Sequence, residues 1–82
     1  MTEAEKARKQ TKKNYKKEVR ARYRQLMSLA KHNIKNATEN CCYMKRRGSD
    51  IERLASWIVA KKLEAKGFKC ELSWDELKID WA

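Results

Sequence analysis

Tyr15, Val19, Tyr23, Leu26, Ala30, Ile34, Ala37, Cys41 and Met44 follow one another at steps of three and four residues. That spacing keeps apolar side chains along one side of an α-helix. Ala7 and Thr11 extend the seam upstream, and Thr2 with Glu5 forms a T-x-x-E capping box at its start. At the far end Lys45, Arg46 and Arg47 suit a helix C-terminus and Gly48 the position after it. The pattern therefore allows one helix over about 45 residues, near 67 Å at 1.5 Å per residue. Its weak point lies between His32 and Asn40, where Asn33, Asn36, Thr38 and Asn40 prefer caps to helix interiors. Asn36 with Glu39 offers a fresh cap, so an unbroken helix and one broken near Asn36 both fit. Read as strict heptads, the seam takes in Asn33 and Asn40, which argues against a long coiled coil.

Ser49-Asp50-Ile51-Glu52 is a second capping box. It predicts a helix over about residues 50–66 that buries Ile51, Leu54, Ala55, Ile58, Val59 and Leu63 and ends at Gly67. The period then changes to two. Phe68, Cys70 and Leu72 alternate with polar residues, as do Leu77, Ile79 and Trp81. Ser73-Trp74-Asp75-Glu76 fits a four-residue loop, predicting an antiparallel hairpin of residues 68–72 and 77–81. Pairing Leu72 with Leu77 places Cys70 opposite Ile79 and Phe68 opposite Trp81, all on one face. A lone hairpin is unstable in water, so it must lie on the helices. The expected fold class is α+β: a long basic helix, a second helix and a C-terminal hairpin. The expected core is Leu54, Ile58, Phe68, Ile79 and Trp81. One small domain is expected, with residues 1–24 as a basic helical arm and 25–82 as the folded core.

Charge changes this picture. The net charge is +10, and the first 48 residues carry a net +11 against −1 for the rest. Residues 6–24 hold ten bases: Lys6, Arg8, Lys9, Lys12, Lys13, Lys16, Lys17, Arg20, Arg22 and Arg24, with Glu18 as the only acid. Most of these fall on the side of the helix away from the seam, Arg8 and Arg22 excepted. Ordinary solvated helix faces mix signs, because like charges at i, i+4 destabilise a helix. Lys9, Lys13 and Lys17, and Lys12, Lys16 and Arg20, break that habit, which implies a compensating anion. The expected partner is RNA or DNA, or else a protein with an acidic, nucleic-acid-mimicking or nucleic-acid-binding surface. Lysine outnumbers arginine in this stretch, favouring phosphate neutralisation over base readout. The candidate binding residues are Lys6, Arg8, Lys9, Lys12, Lys13, Lys16, Lys17, Arg20 and Arg24. Tyr15 and Tyr23 have rings suited to stacking on bases, though seam packing is the simpler use for both.

Other chemistry finds little footing. His32 stands alone, without a nucleophile or carboxylate partner in sequence, so no catalytic residue is assigned and no enzyme is expected. The two glycines read as helix terminators rather than a phosphate loop. Cys41, Cys42 and Cys70 lack zinc-ligand spacing, so no metal and no cofactor are expected. Three cysteines without a disulfide framework suit a reducing cytoplasm. No apolar run spans a membrane, and the seam of Ala, Thr and Tyr is too thin for stable insertion. Trp74, in the loop, is a candidate anchor for a protein partner. The seam is longer than the second helix can cover, so a second copy or a partner is expected to meet the remainder unless the first helix bends back.

The ending Gly67-Phe68-Lys69-Cys70, a short turn, then Leu77-Lys78-Ile79-Asp80-Trp81, preceded by a helix and by Ile34-x-x-Ala37, resembles that of small uncharacterised bacteriophage-encoded proteins. The resemblance covers residues 34–82 and leaves out the basic arm. It implies the hairpin and a location in the host cytoplasm, and it keeps host-takeover factors and anti-CRISPR inhibitors in view as a class. The two functional expectations are thus a small non-enzymatic nucleic-acid- or ribonucleoprotein-binding protein, and an inhibitor that docks on a host protein machine.

Overall fold

The computed structural model describes residues 2–82. Helix α1 (Glu3–Asn36) starts where the first capping box places it, with Thr2 Oγ1 accepting the Glu5 N–H at 3.2 Å. It runs unbroken through Arg24 and ends at Asn36, after which Ala37 is extended at φ −69° and ψ 140°. The break near Asn36 is therefore present, but no helix follows it. Cys41, Cys42, Tyr43, Met44 and Lys45 form strand β1 (Cys41–Lys45) instead, which corrects the reading of Cys41 and Met44 as helical seam. Their i, i+3 spacing fits a helix, whereas Cys42 and Met44 facing inward also fits a strand, and pairing with a distant strand decides between them.

Helix α2 (Asp50–Glu64) is capped by Ser49, whose Oγ accepts the Glu52 N–H at 3.2 Å. Two bonds close its far end: Gly67 N–H donates to the Glu64 carbonyl at 3.0 Å and Phe68 N–H to the Leu63 carbonyl at 3.1 Å. Gly67 sits at φ 96°, a left-handed conformation open to glycine, and the paired bonds are those of a Schellman ending. The chain then enters β2 (Lys69–Leu72) and β3 (Glu76–Asp80). These pair antiparallel with Leu72 opposite Leu77 and Cys70 opposite Ile79, the register that alternation requires. The Phe68 and Trp81 rings meet edge to face with centroids 5.9 Å apart.

The sheet has three strands in the order β1-β3-β2, all antiparallel. β1 takes the free edge of β3, with Met44 opposite Leu77 and Cys42 opposite Ile79. One face thus presents the rows Met44, Leu77, Leu72 and Cys42, Ile79, Cys70, and both helices cover it. The buried core is Val19, Leu26, Met27 and Ala30 of α1, Ala55, Val59, Ala60 and Leu63 of α2, and Met44, Leu77 and Ile79 of the sheet. Of the five expected core residues, Ile79 is fully buried, while Ile58, Phe68 and Trp81 pack partly buried at its margin. Leu54 is exposed, a second correction. α2 is rotated so that Glu52 and Ser56 face inward, because both find partners there.

Glu52 accepts from Nε of Arg22 and, at 2.9 Å, from Arg22 Nη2, joining α1 to α2. Arg46 Nε donates to Ser56 Oγ at 2.7 Å, Nη1 to the Ser73 carbonyl at 2.8 Å and Nη2 to the Arg53 carbonyl at 3.2 Å. One guanidinium thereby ties β1, α2 and the β2–β3 loop together. Hydrogen bonds of this kind, with a charged donor, are the stronger sort.

Candidate nucleic-acid interface

α1 has 34 residues, a length of roughly 51 Å at 1.5 Å each, and the molecule's longest dimension is 55 Å. Its first buried residue is Val19. Everything before that, from Glu3 through Glu18, is exposed, so the N-terminal half of the helix projects from the body. The sequence holds it helical through the Thr2 cap, Glu3 and Glu5 in the first turn, and the lack of any Gly or Pro. Gln10 Nε2 adds a bond to Asn14 Oδ1 at 2.9 Å.

All nine candidate residues, Lys6, Arg8, Lys9, Lys12, Lys13, Lys16, Lys17, Arg20 and Arg24, are exposed on this one helix. Two ion pairs form among the described residues, Arg22 with Glu52 and Lys61 with Glu64. The nine therefore carry their charge without an acidic partner. Arg22, the tenth base of the stretch, is used structurally. The guanidinium's hydrogen bonds hold the Glu52 carboxyl below its ordinary range, outweighing the upward pull of burial.

The bases do not all lie opposite the seam. Lys16 and Arg20 border a groove with Tyr15, Val19 and Tyr23, and α2 supplies Leu54, Ile58 and Lys62 on the other side. The groove is open to solvent and has a volume of about 360 Å³. Tyr15 of the seam is 39% exposed and Leu54 of α2 38%, so this end of the seam is incompletely covered. The Lys62 ammonium stands 5.7 Å from the centroid of the Tyr23 ring, within cation–π range. The contribution of α2 is hidden in the sequence, where Leu54 and Ile58 read as core residues. The available signal was their spacing with Lys62, which repeats every four residues along one helix face.

Trp74 is 66% exposed in the β2–β3 loop, with the Arg53 guanidinium stacked 3.7 Å from its ring centroid. It lies away from the groove's lining. The thiols of Cys42 and Cys70 lie on the sheet's inner face, and burial pushes both above their ordinary range. Cys41 pairs with Asp80 on the outer rows, so the three sulfurs do not converge. His32 accepts from Asn36 Nδ2 through its backbone carbonyl at 2.9 Å. Among the described residues no cluster of three His, Cys, Asp or Glu side chains is arranged to hold a metal ion. Nor is any helix long and apolar enough to cross a membrane. No protein-family model, curated protein or solved structure matches the chain.

Proposed function

We propose that the protein binds nucleic acid non-enzymatically, through phosphate contacts along the projecting half of α1. The observation that carries this reading is the run of nine exposed, unpaired bases on a single helix. Like charges at i, i+4 cost helix stability, and a polyanion laid along the helix removes that cost. Lysines act as point charges toward phosphate, and among the described residues neither a base-reading helix-turn-helix nor a zipper accompanies them. Recognition is then of the backbone, with little sequence preference, in the reducing cytoplasm that the cysteines suit.

The test is the salt dependence of binding. The log–log slope of affinity against salt should be about −0.7 per phosphate neutralised on single strands and −0.9 on duplex. Replacing Lys12, Lys13, Lys16 and Lys17 with Gln keeps helix propensity and removes four charges. Affinity should drop and the slope shrink. An unchanged affinity and slope would remove the arm from the interface.

A second reading draws support from Trp74. An exposed indole held in place by Arg53 suits a protein anchor. On that reading the protein is an inhibitor of phage origin that docks on an acidic surface of a host machine, and loss of the arm lysines would lower mainly the association rate.

A further inference from the structure

The groove between α1 and α2 is not needed for phosphate contacts, yet it adjoins them. We propose that it receives an unstacked nucleobase, so that the protein takes single-stranded nucleic acid in preference to duplex. This rests on the phosphate-binding reading of the arm and adds to it which form of nucleic acid is bound.

Three features of the groove support this occupant. The first is continuity: Lys16 and Arg20 belong both to the row of unpaired bases and to the groove's border. A phosphate chain held by Lys16 and Arg20 runs beside the groove, with its bases one sugar away. The second is the lining. Tyr15 and Tyr23 offer aromatic surface, and Leu54 and Ile58 an apolar wall opposite. Stacking on such surfaces is tolerant of sequence, because every base has a π-face. The third is access. About 360 Å³ is room for a splayed base, whereas the bases of a duplex are stacked and paired and must be unpaired to enter. A second copy of this chain is disfavoured as the occupant by its own +10 charge and by the cationic border of Lys16, Arg20 and Lys62.

The experiment uses the full chain and fluorescein-labelled oligodeoxythymidylate and oligouridylate of about 16 nucleotides, the upper site size of single-strand binding folds. Comparison strands are the matching duplex and an abasic strand of equal length. Single strands should bind tighter than duplex and tighter than the abasic strand. Tyr15→Ala should weaken single-strand binding about 5- to 150-fold, the effect of one lost base–aromatic stack. It should leave the salt slope unchanged, since no phosphate contact is lost. Tyr15→Phe should restore binding. Tyr15 is exposed, so circular dichroism should show both variants folded like the parent. An oligonucleotide carrying 2-aminopurine should lose fluorescence on binding the parent and keep it with Tyr15→Ala.

Equal affinity for the abasic strand, or a Tyr15→Ala variant as tight as the parent, overturns the groove inference while the arm reading stands. If the parent binds no strand at low salt, both readings fall. If it instead binds a Glu- and Leu-rich helical peptide in a Tyr15-dependent way, the groove is a protein-docking site.

Discussion

Glu52 is 3% exposed, at the centre of a face of α2 that hydropathy alone does not select. Its charge is tolerated because Arg22 meets it with two N–H groups. Breaking such a pair from the Arg side leaves a buried carboxylate alone. Arg22→Ala should cost about 3 kcal/mol at neutral pH, near the lower end for buried pairs because Arg22 itself still reaches solvent. The pH dependence follows from the direction of the shift. In the parent, Glu52 is held below its ordinary value of about 4.3, so its contribution is complete above that value and is lost as pH falls through the lower, folded one. Without Arg22, burial becomes the largest influence and pulls the carboxyl upward, opposed by the weaker pull of the Arg47 backbone N–H and charge, so the variant regains part of the lost stability as Glu52 protonates. The gap between parent and variant in urea unfolding should be widest near pH 7 and narrow below about pH 4. A gap of equal size at both would mean that only the packing of the Arg stem was lost. This face was not legible in sequence. Ranking side chains by hydropathy selects Leu54, and only the distant Arg22 and Arg46 make Glu52 and Ser56 the residues that turn inward.

For α1 the two halves should behave differently although the helix is continuous. Residues from Val19 onward share the core with α2 and the sheet, whereas Glu3 through Glu18 are exposed and dense in like charge. Local opening free energies follow such contacts. Amide exchange should be fast between Lys6 and Glu18 and slow around Leu26, Met27 and Ala30. Polyphosphate at low salt should slow the first group and leave the second unchanged. Uniform protection along α1 in the free protein would contradict this. The other elements were legible to different degrees. α2 and the β2–β3 hairpin were readable because each signal is local: a capping box at Ser49, a left-handed Gly67, alternation on either side of a loop. β1 was not, since Cys41, Cys42, Tyr43 and Met44 are all apolar and hide the alternation. Its partner β3 lies more than thirty residues downstream, so its strand character comes from pairing rather than from local sequence.

At the scale of the whole molecule, the α+β class and the excess of seam over cover were both visible in the sequence. The second of these has a hydrodynamic consequence. A compact chain of this length would have a radius of gyration of about 12 Å, whereas this one has 15.5 Å, with extents of 55 × 21 × 18 Å. A monomer of this shape carries more friction than its 9.8 kDa would suggest. It should leave a gel-filtration column early, at a position that a globular standard would assign to a larger species. Small-angle scattering should give about 15–16 Å for the free protein, and a value near 12 Å would mean that the projecting helix folds back on the body. Elution volume alone is therefore a poor guide to how many copies associate. Tumbling is also direction-dependent: amide bonds in α1 lie along the long axis and should relax in NMR as though they belonged to a heavier protein than those of the sheet.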